Sequence, residues 1–392
     1  MFLIVSDGSS SAKVNNILTS VMDNLGGPPS LILCGSSISA DFDGLETTIQ
    51  SGVPFHGASS YLGVMTNQGP FVDGGVGAGV LAISDPTGAY GSAVVPIEAD
   101  EVEAAARAAL QSALRQAGRP GETPELIWLS ATLGVEERVI ASIQEAIGTG
   151  VPICVGSAAD NSVSGDWVVF DRSARFDSGI ALIVMFPSVR VGYAFHSGYR
   201  PTSTQGRVTG ANDRCIVSID DQPGAQVYND WTNGKIDDAL ETGGSVIANT
   251  SLSPLGRRRD AVAGFDYFLL SHPESVLPDG GLGLFSDIEV GDEIVLMEGS
   301  VDNLVTRAPR VAENALEMAR LDKDHISGAL VIYCAGCMLT VQDRMTEVAA
   351  GLSDTLGGKP FLGTFTFGEQ GCFIGGSNHH GNLMISVVVF GV

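Results

Sequence analysis

Short apolar runs recur along the chain in pairs, and amphipathic stretches with apolar positions near a 3.6-residue period lie between their members. The pairs are LILCGSS (31–37) with GVPFHGASS (52–60), LIWLSATLG (126–134) with GVPICVGSAAD (150–160), and LVIYCAGC (330–337) with GKPFLGTFTFGEQG (358–371). Each second member carries Gly-x-Pro, a short apolar run, then a glycine among small residues. VEERVIASIQEAIG (135–148) and VQDRMTEVAAGLSDTLG (341–357) read as helices crossing between paired strands, each ending at a glycine. A further helical stretch precedes each pair: SAKVNNILTSVMDNLG, EVEAAARAALQSALRQAG and VDNLVTRAPRVAENALEMARL. The strands FLIV, SAVVPI and EIVLM stand before those helices. GVGAGVLAIS, GIALIVMF and NLMISVVVFG close the three units.

The pattern predicts an α/β fold with mixed sheets built from repeated strand-helix-strand-helix-strand-hairpin modules. The units cover about residues 1–85, 92–187 and 292–392. Residues 191–291 alternate polar and β-branched positions around Asp-Gln-Pro-Gly and predict a central β-rich, hairpin-based insertion. Two regions result, 1–190 and 191–392.

Composition narrows the partners. A chain of 392 residues with 44% hydrophobic and 17% charged positions can bury a large core. Its 45 acidic against 21 basic residues give a net charge of −24, which repels phosphate backbones and anionic membranes, so no nucleic-acid partner is expected. The opening MFLIVSDG lacks a cationic lead, and no run reaches the ~20 apolar residues that span a bilayer. A cytoplasmic protein without membrane insertion is the expectation. Six cysteines are too sparse for a disulfide scaffold and read as small buried residues.

In parallel strand-helix-strand units the loops at the C-terminal strand ends gather on one edge, where ligands bind. Those loops are rich in glycine, and Ser36, Ser37, Ser59, Ser60, Ser130, Thr132 and Ser157 supply neutral donors and acceptors. This predicts a pocket for a small polar molecule. No Gly-x-x-x-x-Gly-Lys-Ser/Thr phosphate loop is present.

GSAADNSVSGDWVVFDRS, GYRPTSTQGRVTGANDRCIVSIDDQPGAQVY, GALVIYCAGC and FLGTFTFGEQG with NHHGNLMISVVVF, in that order and spacing, resemble the FIST family (F-box and intracellular signal transduction) over nearly the whole chain. The resemblance implies a sensory domain rather than an enzyme, one that recognises a small molecule such as an amino acid and reports to a separate signalling partner. One subset of the family binds haem and senses nitric oxide together with a histidine kinase. Asp160 stands in the family's Gly-x-Ala-x-Asp, Arg200 and Pro201 in its Arg-Pro stretch, Asp220 at the start of its Asp-Gly-x-Pro-Ala segment, and Glu369 is its Gly-Glu glutamate. The chain departs from the pattern with Asp-Asp-Gln-Pro-Gly-Ala at 220–225 and with Cys337 after Cys-Ala-Gly.

The candidate ligand residues are therefore Ser59, Ser157, Asp160, Arg200, Asp220, Cys334, Thr366 and Glu369. Asp160 and Glu369 occupy equivalent places, so they either face one cleft as an amino-group site or cap their own loops. As a separate alternative, Cys334 or Glu369 would serve an enzyme acting on a small metabolite. His196, flanked by Phe195 and Tyr199, is the candidate axial ligand if haem binds, with His56 as runner-up; a core or surface histidine is the commoner outcome. Cys334, Cys337, Cys372 and His379 can be drawn as a zinc set, but the loose Cys372–His379 spacing favours buried small residues. Arg257–Arg259, the one cationic run, reads as a loop, and Trp128 and Trp167 read as strand core.

Overall fold

A computed structural model describes residues 2–10, 13–262, 265–373 and 376–392. Ser11 and Ala12, which open the first helical stretch read from the sequence, and Met1 lie outside the described residues.

Three six-stranded mixed sheets share one plan. In the first, the order runs Leu3–Ser9, Ala78–Ser84, Leu31–Ser36, Phe55–Ser59. In the second it runs Ala89–Pro96, Gly179–Phe186, Leu126–Ala131, Ile153–Gly156, and in the third Val191–Ser197, Met384–Gly391, Ile326–Cys334, Phe361–Thr366. Within each, the last two strands are parallel and the rest antiparallel. The parallel pairs are those linked by a helix, since a parallel partner needs a long crossover. Central strands such as Leu31–Ser36, Leu126–Ala131 and Met384–Gly391 are buried at every position, which is why they read as unbroken apolar runs and not as alternations.

Each sheet is finished by a hairpin from another unit. Val64–Thr66 and Gly69–Phe71, from the first unit, extend the third sheet beside Phe361–Thr366. Val169–Phe170 and Arg175–Phe176 extend the first sheet beside Phe55–Ser59, and Glu369–Cys372 with Asn378–Gly381 extend the second beside Ile153–Gly156. The exchange runs round a closed ring of three.

The strand that opens the third sheet is not EIVLM. Glu293–Glu298 pairs with Arg200–Asn212 and Leu255–Val262 in a separate antiparallel sheet, and Val191–Ser197 takes the edge beside Met384–Gly391. Packing marks the equivalence of the second and third edge strands. A Cβ on Gly91 would fall 2.0 Å from the Ala113 carbonyl of helix Val102–Gln116, and one on Gly192 would fall 2.1 Å from the Ala315 carbonyl of helix Val301–Ala319. The β-rich segment therefore enters between the edge strand and the first helix of the third unit. EIVLM mimics an edge strand only because it immediately precedes that helix.

Arg257–Arg259 lie in the strand Leu255–Val262 and not in a loop. Arg257 is 4% exposed and donates to the Asp287 carbonyl, while Arg258 and Arg259 pair with Asp266 and Asp292 at 3.6 Å. Trp128 is a buried strand residue, whereas Trp167 is half-buried and precedes its strand. No described helix is long and apolar enough to cross a membrane.

Candidate ligand site at the junction of the three sheets

The parallel pairs end in register. Ser36 faces Ser59 and Cys334 faces Thr366, and continuing the Trp128–Cys154 register sets Ala131 opposite Ser157. Beyond these ends the backbones of the three units bond to one another. Tyr61 N–H donates to the Phe365 carbonyl at 2.9 Å, Ala159 N–H to the Ser59 carbonyl at 2.9 Å and Ser157 N–H to the Gly368 carbonyl at 2.8 Å. Loops from all three units thus meet at one place, as parallel strand ends require.

A cavity of about 200 Å³ lies at this meeting point. Tyr61 reaches it from the first unit, Asn161 from the second, Cys334 and Thr366 from the third, and His272 and Phe285 from the inserted segment. Asn382, at the turn before the last strand, completes the wall. Its Oδ1 accepts the His272 N–H at 3.2 Å, which fixes the amide orientation and leaves Nδ2 as a donor. That Nδ2 is buried and makes no hydrogen bond among the described residues. An unanswered buried donor costs about 1–3 kcal/mol. His272 is pulled down to about 4 by burial, so its ring is neutral at pH 7, and its Nε2 lies 3.0 Å from the Thr250 hydroxyl.

The sequence-predicted residues divide around this cavity. Cys334 and Thr366 line it. Ser59 is committed elsewhere, its hydroxyl accepting the Val168 N–H at 2.8 Å. The Asp160 carboxylate accepts backbone N–H groups from Ser162, Val163, Ser164, Gly165 and Asp166. Burial pushes its pKa up, those donors outweigh it, and the group stays below the ordinary carboxylate value. Asp160 is the loop-capping alternative. Glu369 is fully buried, with Oε1 accepting the Thr366 hydroxyl and Oε2 the Met384 N–H, both at 2.9 Å. Burial first, and the neighbouring Cys334 second, push its pKa well above the ordinary carboxylate value. The two carboxyl groups do not share a cleft. Arg200 and Asp220 lie away from the cavity: Arg200 pairs with Glu298 at 2.9 Å, 72% exposed, and Asp220 is in a turn at φ 48°, accepting the Arg207 N–H.

Ser157 belongs to a buried charge cluster that the sequence does not announce. Its hydroxyl donates to Glu136 at 2.6 Å and accepts from Gln370 at 3.2 Å. Arg214 pairs with Glu136, Glu137 and Asp287. Burial would raise Glu136, but His380 and Arg214 draw it down to about 2. Glu136, Glu137 and His380 stand close enough to hold a cation, and the Arg214 guanidinium supplies the positive charge there. The cluster ties the second unit, the third unit's hairpin and the inserted sheet together. Its one sequence signal is acid in the first turn of helix Glu136–Ile147, which also suits an ordinary helix start.

All six cysteines are buried and unpaired. Burial pushes Cys334 well above the ordinary thiol pKa, which makes its sulfur a poor nucleophile. Cys334, Cys337, Cys372 and His379 form no metal-ligand group among the described residues. His56 is buried and pulled down to about 4 by burial. His196 lines a second, larger cleft of about 590 Å³ with Tyr267, Phe268, Phe373, Met384, Arg258 and Arg307. Burial, with Arg307 behind it, brings His196 to about 4.

Sequence-family comparison places a FIST N domain at residues 30–222 and a FIST C domain at residues 224–372. The chain belongs to the FIST family. FIST domains bind small ligands in signal transduction. No curated protein sequence matches the chain. Among solved structures, a crystal structure of cyanuric acid hydrolase from A. caulinodans is similar at 10% identity and a TM-score of 0.41, covering 100% of each chain.

Proposed function

We propose that this FIST protein is a non-catalytic sensor whose ligand occupies the 200 Å³ cavity where residues of 1–190 meet residues of 191–392. The meeting of strand ends from all three units at one cavity carries the reading, with Asn382, whose Nδ2 makes no hydrogen bond among the described residues, in its wall. Among the described residues the walls hold no charged side chain, and His272 is neutral, so an amino-acid zwitterion would find no counter-charge there. The ligand class that suits the site is a small neutral molecule, largely apolar, with one carbonyl-type acceptor. Tyr61 and Asn161 contact it from one region and Cys334, Thr366 and Asn382 from the other. A ligand with different affinity for two relative placements of the regions shifts their balance, and a separate signalling partner reads the shift.

A thermal-shift series of small amides, lactams and ketones tests this. A ligand at a hundred times its Kd adds about 2.7 kcal/mol of stability. That shift should vanish in Asn382→Leu and shrink when Leu339→Trp crowds the rim. A series without stabilisation, or stabilisation unchanged in both variants, rejects the site.

A second reading places haem in the 590 Å³ cleft, favoured by His196: a neutral imidazole suits an axial ligand, and aromatic side chains line the same walls. His196 would hold the group, and Arg258 and Arg307 would face its carboxylates. Bound haem would supply an iron that takes nitric oxide. Reconstitution should then give a stoichiometric Soret band that is lost in His196→Ala; a free-haemin spectrum rejects it.

A further inference from the structure

Helix Val301–Ala319 presents Arg307 and Arg310 one turn apart, and together with Arg200, Ser197 and Asn303 they line a cleft of about 190 Å³. Three guanidinium groups on one small cleft are unexpected in a chain with more than two acids for every base. Arg200 has Glu298 at 2.9 Å. Arg307 and Arg310 make no ion pair among the described residues, and the Arg307 Nε is buried without a hydrogen-bond partner. The acid in the same helix's first turn, Asp302, is turned to Arg344 at 2.6 Å. Like charges at this spacing repel on a helix surface. Burial, then the charge of Arg310, lowers the Arg307 pKa, the direction expected where a cation lacks its counter-ion.

Arg307, Ser197 and Tyr199 also belong to the wall of the 590 Å³ cleft, so the two spaces adjoin. That larger space is faced by Tyr267, Phe268, Phe373 and Met384, and its other cation, Arg258, already has Asp266 at 3.6 Å. One end is therefore cationic and uncompensated, and the other apolar and aromatic.

We propose that these adjoining clefts bind an amphiphilic organic anion. Its carboxylate or phosphate sits on Arg307 and Arg310, with Asn303 as a further donor, and its apolar body lies against Tyr267 and Phe373. Paired guanidinium groups grip such oxyanions by charge-assisted, bidentate hydrogen bonds. The inference is independent of the cavity at Asn382; it shares the 590 Å³ cleft and Arg307 with the haem reading, so the two occupants exclude one another.

Calorimetric titration of the full, haem-free chain with phenyl phosphate, phenylacetate, inorganic phosphate and acetate tests it, the first two distinguishing the head groups. At least one aromatic anion should bind tenfold or more tightly than its inorganic or acetate counterpart, and weaken as salt rises. Arg307→Gln/Arg310→Gln should reduce that affinity at least tenfold, with a melting temperature equal to or above the parent's because the repulsion is gone; Arg307→Lys should retain part of it. Asn382→Leu should leave it unchanged. Absence of binding by both aromatic anions, equal affinity in the double glutamine variant, or loss through Asn382→Leu overturns the proposal.

Discussion

Glu369 and Asp160 each stand three residues beyond the register-matched ends of their strands, Thr366 and Ser157, yet their surroundings drive their protonation in opposite directions. Asp160 is surrounded by N–H groups that hold its pKa below the ordinary carboxylate value, whereas Glu369 has one N–H, one hydroxyl and a thiol in full burial and is pushed well above it. A carboxyl with a raised folded-state pKa contributes stability that is complete below its unfolded pKa and lost as pH rises toward the folded value. Through that window Glu369 should lower stability by up to about 1.4 kcal/mol per pH unit. Glu369→Gln keeps the shape, lets the amide oxygen accept the Met384 N–H and turns its NH₂ to Thr366. Urea unfolding at pH 5.5 and 8 should therefore show a flatter pH dependence in the variant and a stability at pH 8 equal to or above the parent's. An unchanged slope would mean that Glu369 is ionised. The sequence located both carboxyls but could not assign these states, since both follow a glycine-rich strand end and the difference lies in donors contributed by later residues.

The paired strands and crossover helices were legible because period and glycine stops are local properties of the chain. The destinations of the hairpins were not, because a hairpin's sequence records its own turn and not the edge it joins. Val64–Phe71 pairs with a strand near residue 362, and nothing in its residues distinguishes that edge from its own unit's. Arg257–Arg259 misled for the opposite reason: three consecutive charges resemble a loop, although alternation sends them to different partners from one strand. His272 and Asn382 gave no signal, since the cavity they share forms only after the inserted sheet docks. The first hairpin depends on a close backbone approach. A Cβ on Gly77 would lie 1.7 Å from the Phe71 carbonyl oxygen, and Gly63, at φ 152°, meets the same oxygen. Gly77→Ala must move backbone, so it should cost about 3 kcal/mol or more, beyond the usual 1–3 kcal/mol of overpacking. Hydrogen exchange should speed up in Phe361–Thr366, on a different unit, as the hairpin loosens. Exchange confined to residues 60–80 would show that the hairpin does not support the third sheet.

At the scale of the molecule, the exchange ring makes the units mutually dependent, which bears on whether 1–190 and 191–392 behave as independent domains. Residues 1–190 alone would retain the first sheet and the hairpin that finishes it, but Ile153–Gly156 would lose its partner Glu369–Cys372 and become an open edge. The Val64–Phe71 hairpin would have no third sheet to join. Apolar positions now covered, including Leu33, Val64 and Leu81, pack in one core with Leu330, Ile332 and Leu362 of the other half. Glu136 would also lose its ion-pair partner Arg214 at 2.8 Å, and with it the tie between the second unit and the inserted sheet. These losses fall together on a net stability that is ordinarily only about 5–15 kcal/mol. The 1–190 fragment should therefore show no cooperative thermal transition and should bind a hydrophobic dye, while the full chain melts in one step by circular dichroism. A fragment that melts cooperatively would establish the first two units as a domain in their own right, with the ring closing only afterwards. Ligand sensing would then arise from docking two stable bodies, whereas a fragment that fails to fold places the sensor's two states within one cooperative core.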